Sequence, residues 1–355
     1  VGVIEPDGAA KASPSGESTP LGTAIAAPVM DAPAAERIDL GPPPGPIEAS
    51  DTFAVAGRKA MWLHVERMLA READIRDPDQ IDSLRKYRVA TRRLRAAMRL
   101  FRDAYPMRES KPLRVGLGAI AREVGTVRDL DVRIADLDSW AVRAGEGTPA
   151  DVAPLRAAWG TERRRAAAAL ERRLATKRHR RLLESLAAFV TTGTVTEATG
   201  GTPVLTVRDR VASSAWLAYE RLRSHTAGFE RADLETLHDI RIAAKRLRYT
   251  LEFLGPVLGP QREWLVARLV GLQDNLGHLN DAVVNAGAIR AFLADQRAVL
   301  DPGAGGAIEG YLASREQAVA TLRRGAGRTW RPVVDAAFAG RLGRAVILPA
   351  SSERP

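Results

Sequence analysis

From Asp51 onward apolar residues return every three or four positions, and no stretch alternates strictly between apolar and polar. That period belongs to helices buried along one face, and the Ala, Leu and Arg that dominate it are strong helix formers. Caps and breakers divide the pattern. A first helix is expected from Thr52 to about Ala73, and a second follows Asp77-Pro78 and stops before Pro106. A third starts at Ser110-Lys-Pro112 and ends near Gly125, and a fourth runs from about Arg128 to Val142. A fifth and a sixth occupy roughly 151–175 and 177–191, before a Thr- and Gly-rich spacer ending at Pro203. Residues 1–50 differ. Rich in Ala, Pro, Gly and Ser, they end in Gly41-Pro-Pro-Pro-Gly-Pro46 and offer too little apolar surface to offset chain entropy, so they are expected to be a disordered tail or linker.

After the spacer the series restarts. Trp62 and Trp216 stand 154 apart, each followed four residues on by Glu-Arg. The pattern Arg85-x-x-Arg88-x-x-x-Arg92-Arg93-Leu94-Arg95 returns 153 residues later as His238-x-x-Arg241-x-x-x-Lys245-Arg246-Leu247-Arg248. Gly125-x-x-Arg128-Asp129 returns as Gly277-x-x-Asn280-Asp281, at an offset of 152. Three motifs in one order with nearly constant offset mark an internal duplication. The expected fold is all-α: two similar helical-bundle repeats, about 52–191 and about 204–340, related by a pseudo-two-fold axis within a domain of residues 51–345.

An α-helix turns about 100° per residue, so positions i, i+3, i+7 and i+10 form a narrow stripe. Arg85, Arg88, Arg92 and Arg95 obey that spacing, with Arg99 and Arg102 extending it; His238, Arg241, Lys245 and Arg248 repeat it. A single helical charge run is usually a solvated or carboxylate-paired face. Duplication in register changes that judgement, because stacked like charges cost helix stability twice at matching positions. Arginine suits an anionic ligand, since its planar fork meets phosphate oxygens in pairs and stays charged. Weaker extensions are Arg163-Arg-Arg165, Arg172-Arg173, Lys177 to Arg181, Arg323-Arg324, Arg328 and Arg331.

Charge narrows the ligand. The chain carries 53 Lys+Arg against 43 Asp+Glu, but residues 1–50 hold two basic and seven acidic side chains, so the excess lies in the helical part. Such an excess draws polyanions without dictating fold. Aromatic residues are 5% of the chain and do not interleave with the stripes, which disfavours base stacking and leaves a ligand made of phosphate alone. The chain has no cysteine, which removes disulfides and thiolate chemistry and suits a cytoplasmic protein. No apolar run is long enough to span a membrane.

The two basic motifs and the paired Gly-x-x-(Arg/Asn)-Asp motifs together resemble the CHAD domain, the conserved-histidine α-helical domain, over about Asp51 to Gly340. The resemblance implies two four-helix-type repeats with pseudo-two-fold symmetry and a basic central cavity, pore or groove, and binding of inorganic polyphosphate, often on polyphosphate granules. Carried over by position, it implies contacts from Arg88, Arg92, Arg93 and Arg95, and from His238, Arg241, Lys245, Arg246 and Arg248. Arg85 stands where the family usually carries its first histidine; it keeps the positive charge and joins the binding set, and His238 is then a ligand rather than a catalyst. The Glu-x-Glu-x-Lys motif of the triphosphate-tunnel domain that precedes many members is absent from this sequence. A stand-alone form, or a linker remnant in residues 1–50, would each account for that.

Catalysis is not expected, nor is a cofactor or metal. His64, His179, His225 and His278 lack metal-ligand spacing, and no Gly-rich phosphate loop with Lys and Ser/Thr occurs. Asp129, Asp131 and Asp281 are expected to cap helices or to pair with nearby arginines. Two alternatives stay open: non-sequence-specific nucleic-acid binding and, more weakly, a metal-dependent phosphohydrolase.

Overall fold

A computed structural model describes residues 38–77, 80–145, 147–192 and 204–347. Among the described residues there are eleven α-helices and no strand. The first half holds α1 (Phe53–Leu69), α2 (Ile81–Leu100), α3 (Met107–Ala144), α4 (Thr148–Asp151), α5 (Ala153–Leu174) and α6 (Lys177–Thr191). The second holds α7 (Val207–Arg223), α8 (Leu234–Phe253), α9 (Gln261–Gln296), α10 (Pro302–Val334) and α11 (Ala336–Val346). Corresponding helices begin at the sequence offset: α1 and α7, α2 and α8, and α3 and α9 start 153 or 154 residues apart.

Local chemistry sets the helix starts. Thr52 caps α1 by accepting from Val55 N–H, Asp233 caps α8 by accepting from Thr236 N–H, and Thr206 with Asp209 forms a capping box on α7. The two entry segments also pair. Phe53 N–H donates to Leu205 C=O at 3.0 Å, and Val207 N–H donates to Asp51 C=O at 2.9 Å, a reciprocal pair flanking Thr52 and Thr206.

Two expectations are corrected. The third and fourth helices are one, α3, which passes through Gly125 without a break. Leu117, Ile120, Val124, Val127, Leu130 and Leu137 keep a helical period on both sides of the glycine and are buried. Their burial outweighs the roughly 1 kcal/mol that a mid-helix glycine costs. Asp129 and Asp131 therefore lie inside a helix and cap nothing.

The second correction concerns the tail. Residues 1–37 and the spacer residues 193–203 lie outside the described residues, but 38–50 are laid along the helical core. Leu40 and Ile47 are buried, Trp62 Nε1 donates to Leu40 C=O at 3.3 Å, and Lys59 Nζ donates to Pro46 C=O at 2.9 Å. Two apolar anchors in a Pro-rich segment suffice, because proline lowers the entropy lost on ordering. Leu40→Ala with Ile47→Ala is expected to destabilise the protein by about 2–4 kcal/mol, read as a lowered Tm.

Among the described residues the core has three parts. One fills the first half around Leu94, Leu117 and Ile120, and another fills the second around Leu247, Leu269 and Leu272. The third joins the halves: Leu137, Leu155 and Trp159 pack with Ile289, Ile308 and Tyr311. Beside that seam Tyr311 Oη donates to Asp136 at 2.6 Å and Arg315 Nη1 lies 2.7 Å from the same carboxylate. α2 and α8 pack against each other across the middle.

Candidate anion-binding crevice

α2 buries Tyr87, Ala90, Thr91, Leu94, Ala97 and Met98, which leaves its arginine stripe facing away from the first core. α8 does the same, with Leu237, Ile240, Ala244, Leu247 and Leu251 inward. Where the helices meet, five of the expected cations share one electrostatic environment: Arg88, Arg92, Arg241, Lys245 and Arg248. Burial, followed by repulsion from Arg88, Arg248 and Arg93, pushes the Arg92 guanidinium below its ordinary range. Burial also lowers Arg241, with Arg92 and Arg88 adding to it and Asp281 and Asp129 opposing. Lys245 moves most, from the usual 10.5 to about 7, through burial first and then Arg241, Arg92, Arg88 and Arg248. Each shift reports positive charge held close to positive charge in a partly dry place.

Hydrogen bonding is as incomplete as the charge balance. The Nε atoms of Arg92, Arg241 and Arg248 are buried and meet no hydrogen-bond acceptor among the described residues, and the Tyr249 hydroxyl beside them also lacks a partner. A buried donor without an acceptor costs about 1–3 kcal/mol, more when charged, and an anionic oxygen would relieve it.

The paired Gly-x-x-(Arg/Asn)-Asp motifs anchor the basic helices to the long helices that follow them. Arg88 Nη2 lies 3.1 Å from Asp129 of α3, and His238 Nδ1 lies 3.2 Å from Asn280 Oδ1 of α9, a contact that requires the proton on Nδ1. α2 and α3 run antiparallel in close register. A Cβ on Gly125 would stand 4.0 Å from Arg88 Nε, and one on Gly118 would stand 3.9 Å from Arg95 Nη2. Asp129 and Asp281, matching positions of the two motifs, face each other closely enough to interact.

Other expected residues are placed elsewhere. Arg85 is exposed and lies 2.7 Å from Asp82 of its own helix. His238 is exposed. Arg93, off the stripe, pairs with Glu252 and stacks on Tyr249, whose ring also takes Arg248 at 5.3 Å. Arg246 points into a separate cavity of about 320 Å³, together with Arg99, Arg114, Arg210 and Arg221. Arg95 lines a third space with Arg99, Lys111 and Arg114. Of the weaker extensions, Arg163 is a half-buried partner of Asp131 at 2.8 Å, Arg173 pairs with Glu123 at 3.0 Å and Arg331 with Glu230 at 3.6 Å. Sequence reasoning missed Arg114, Arg210 and Arg221. Arg99 was legible as part of the stripe and Arg221 as the end of the repeated Trp-to-Glu-Arg motif, but Arg114 and Arg210 belong to no motif, and all are gathered only by tertiary packing.

Among the described residues no group of three or more His, Asp or Glu side chains is arranged to hold a metal ion, and no helix is long and apolar enough to cross a membrane.

Known proteins bear on this arrangement. An uncharacterized protein of Mycobacterium tuberculosis (strain CDC 1551 / Oshkosh) is 28% identical over 243 residues, 64% of this chain and 44% of that protein, so the chain spans less than half of that relative's length. Two solved structures share the fold. The CHAD domain of the plant Ricinus communis superposes with a TM-score of 0.59 at 22% identity, covering 84% of this chain and 94% of that one. PptA from Streptomyces chartreusis superposes with a TM-score of 0.64 at 17% identity, covering 79% and 99%. The family model of the CHAD domain matches residues 59–290, a span that contains both basic helices and both glycine motifs, and the chain belongs to the CHAD domain family.

Proposed function

We propose that this protein binds inorganic polyphosphate, without turning it over, in the crevice between α2 and α8. The observation that carries the reading is the set of five crowded cations, Arg88, Arg92, Arg241, Lys245 and Arg248, with the Nε–H groups of Arg92 and Arg241 buried and unaccepted and that of Arg248 no nearer than 3.7 Å to the Glu252 carboxylate. Such a set is costly for the free protein and is relieved by a ligand that is all anionic oxygen. The side chains to which we assign phosphate contact are those five and His238. Arg93, tied to Glu252 and Tyr249, holds the crevice wall in place.

A pseudo-two-fold relation between the halves is part of this reading. Counterpart positions meet one another at several places: Asp51 to Phe53 with Leu205 to Val207, Arg133 Nε with Asn285 Oδ1 at 3.2 Å, and Arg92 with Lys245. Contact between equivalent positions is what an axis running between two repeats produces. Such an axis brings the two stripes face to face.

Nucleic-acid binding is the second reading, on the strength of the same charge. It is less well supported, because the ring nearest the cations, Tyr249, is buried and already stacked on two guanidinium groups. No base could use it. A cytoplasmic location on polyphosphate granules follows from the polyphosphate reading and stands or falls with it.

Calorimetric titration at about 0.15 M salt distinguishes the two ligands. Long-chain polyphosphate is expected to bind at least about tenfold more tightly than RNA or heparin, and to raise Tm with the logarithm of its excess over Kd. Equal or tighter binding of RNA would transfer the function to nucleic acid. Phosphate release that requires Mg²⁺ and disappears in Asp129→Asn with Asp281→Asn would show turnover.

A further inference from the structure

The two basic helices differ at their C-terminal ends. At the 153-residue offset of the basic motif, Arg99 of α2 corresponds to Glu252 of α8. Glu252 is half enclosed and pairs with Arg93 and, at 3.7 Å, with Arg248, so a carboxylate closes that end of the crevice. The opposite end has the reverse character. Burial first, and then Arg246, Arg95 and Arg114, depress the Arg99 guanidinium, and among the described residues no carboxylate pairs with Arg99, Arg114 or Arg246.

α3 prolongs the positive row. Its antiparallel register places Arg88 over Gly125 and Arg95 over Gly118, and one helical turn further along α2, Arg99 meets Arg114. Those two arginines form the wall between two open cavities. One, of about 320 Å³, also holds Arg246 and Arg221; the other, of about 580 Å³, also holds Arg95 and Lys111. The one carboxylate in the first is Asp103, 3.8 Å from Arg210. The second half has no such continuation. At the 152-residue offset of the glycine motif in the long helices, Lys111 and Arg114 correspond to Glu263 and Val266.

We propose that a linear polyphosphate chain leaves the crevice in one direction only, past Arg95 and Arg99, and seats its next phosphates between Arg99, Arg114 and Arg246. This rests on the polyphosphate reading of the crevice and adds to it a polarity and a second binding segment. From Arg92 to Arg99 is seven residues, about 10 Å along the helix axis. A chain must therefore reach beyond the crevice to gain the second segment, while a short oligomer occupies the crevice alone. The site also explains why α2 retains an unpaired cation four residues beyond Arg95, where α8 carries a carboxylate.

The test compares tripolyphosphate with long-chain polyphosphate on the full chain, by calorimetry across a salt series. Wild type is expected to bind the long chain more tightly and with a steeper salt dependence. In Arg99→Glu with Arg114→Glu, affinity for the long chain should fall at least about tenfold further than affinity for tripolyphosphate, and the salt slope should drop by about 1–2. Arg99→Gln with Arg114→Gln, checked for unchanged helicity, should show the same bias at smaller size. Equal losses for both ligands, or none for either, would overturn the one-sided path and leave the crevice reading intact. A wild type that binds neither ligand would overturn the crevice reading and the path with it.

Discussion

Charge reversal at Arg92 and Arg241 together is expected to lower affinity for long-chain polyphosphate at least about a hundredfold, two factors of ten at about 1.4 kcal/mol each. Both guanidinium groups are half buried at the meeting of α2 and α8, and both carry a buried Nε–H without an acceptor. Glutamates there would put negative charge where phosphate oxygens are expected to sit. The same change should not unfold the protein. Arg88, Lys245 and Arg248 remain to pair with the new carboxylates, so the crowding of like charge is relieved. Melting temperature should hold or rise while binding is lost. That pairing of outcomes separates loss of a site from loss of a fold. A double variant that keeps affinity within threefold of wild type, or that melts far below it, would sink the assignment.

The second large effect is on pH. Lys245 lies at about 7, lowered by burial and by Arg241, Arg92, Arg88 and Arg248, while Asp281 of α9 and Asp129 of α3 act on its neighbour Arg241. In the unfolded chain a lysine titrates near its ordinary 10.5. Between about pH 7 and 10.5 the unfolded state therefore binds the proton and the folded state does not, so the stability of the unliganded protein rises with pH across that window. Below pH 7 both states are protonated and the full destabilisation is present. A polyphosphate chain favours the charged amine and draws its titration back up. Binding in that window must then take up a proton, and affinity should fall as pH rises above 7, by at most about tenfold per unit. Calorimetry at about pH 8.5 in two buffers of different ionisation enthalpy measures the uptake. Equal heats in both buffers would refute it. Lys245→Met should abolish the proton uptake, weaken binding, and stabilise the unliganded protein by on the order of 1 kcal/mol.

The helices and their duplication were legible because they rest on local period and on repetition. Arg88, Arg92, Arg241, Lys245 and Arg248 share one stripe spacing, and the fold brings those five together. Arg93 and Arg246 had been included by resemblance of motif, although each lies about 100° around the helix from the preceding stripe residue. In the fold Arg93 turns to Glu252 and Arg246 to a neighbouring cavity, while Arg85 and Arg95, which keep the stripe angle, also lie apart from the five. What stayed illegible depends on distant sequence. Nothing near Arg93 announces an ion pair 159 residues away. Nothing near Gly125 announces that burial of Val124 and Val127 will carry α3 through it. Composition likewise misled at residues 38–50, where two anchoring side chains, Leu40 and Ile47, outweigh a proline-rich background. The Gly-x-x-(Arg/Asn)-Asp motifs were recognisable, but their task was not. They dock each basic helix on its long neighbour, through Asp129 in one half and Asn280 in the other.

The crossed backbone bonds at Thr52 and Thr206 have an architectural corollary. Each entry segment offers its neighbour the donor and acceptor that it receives, which is the self-complementary grip of an isologous homodimer. Severed within the spacer and mixed, the N-terminal and C-terminal fragments should therefore find each other and recombine.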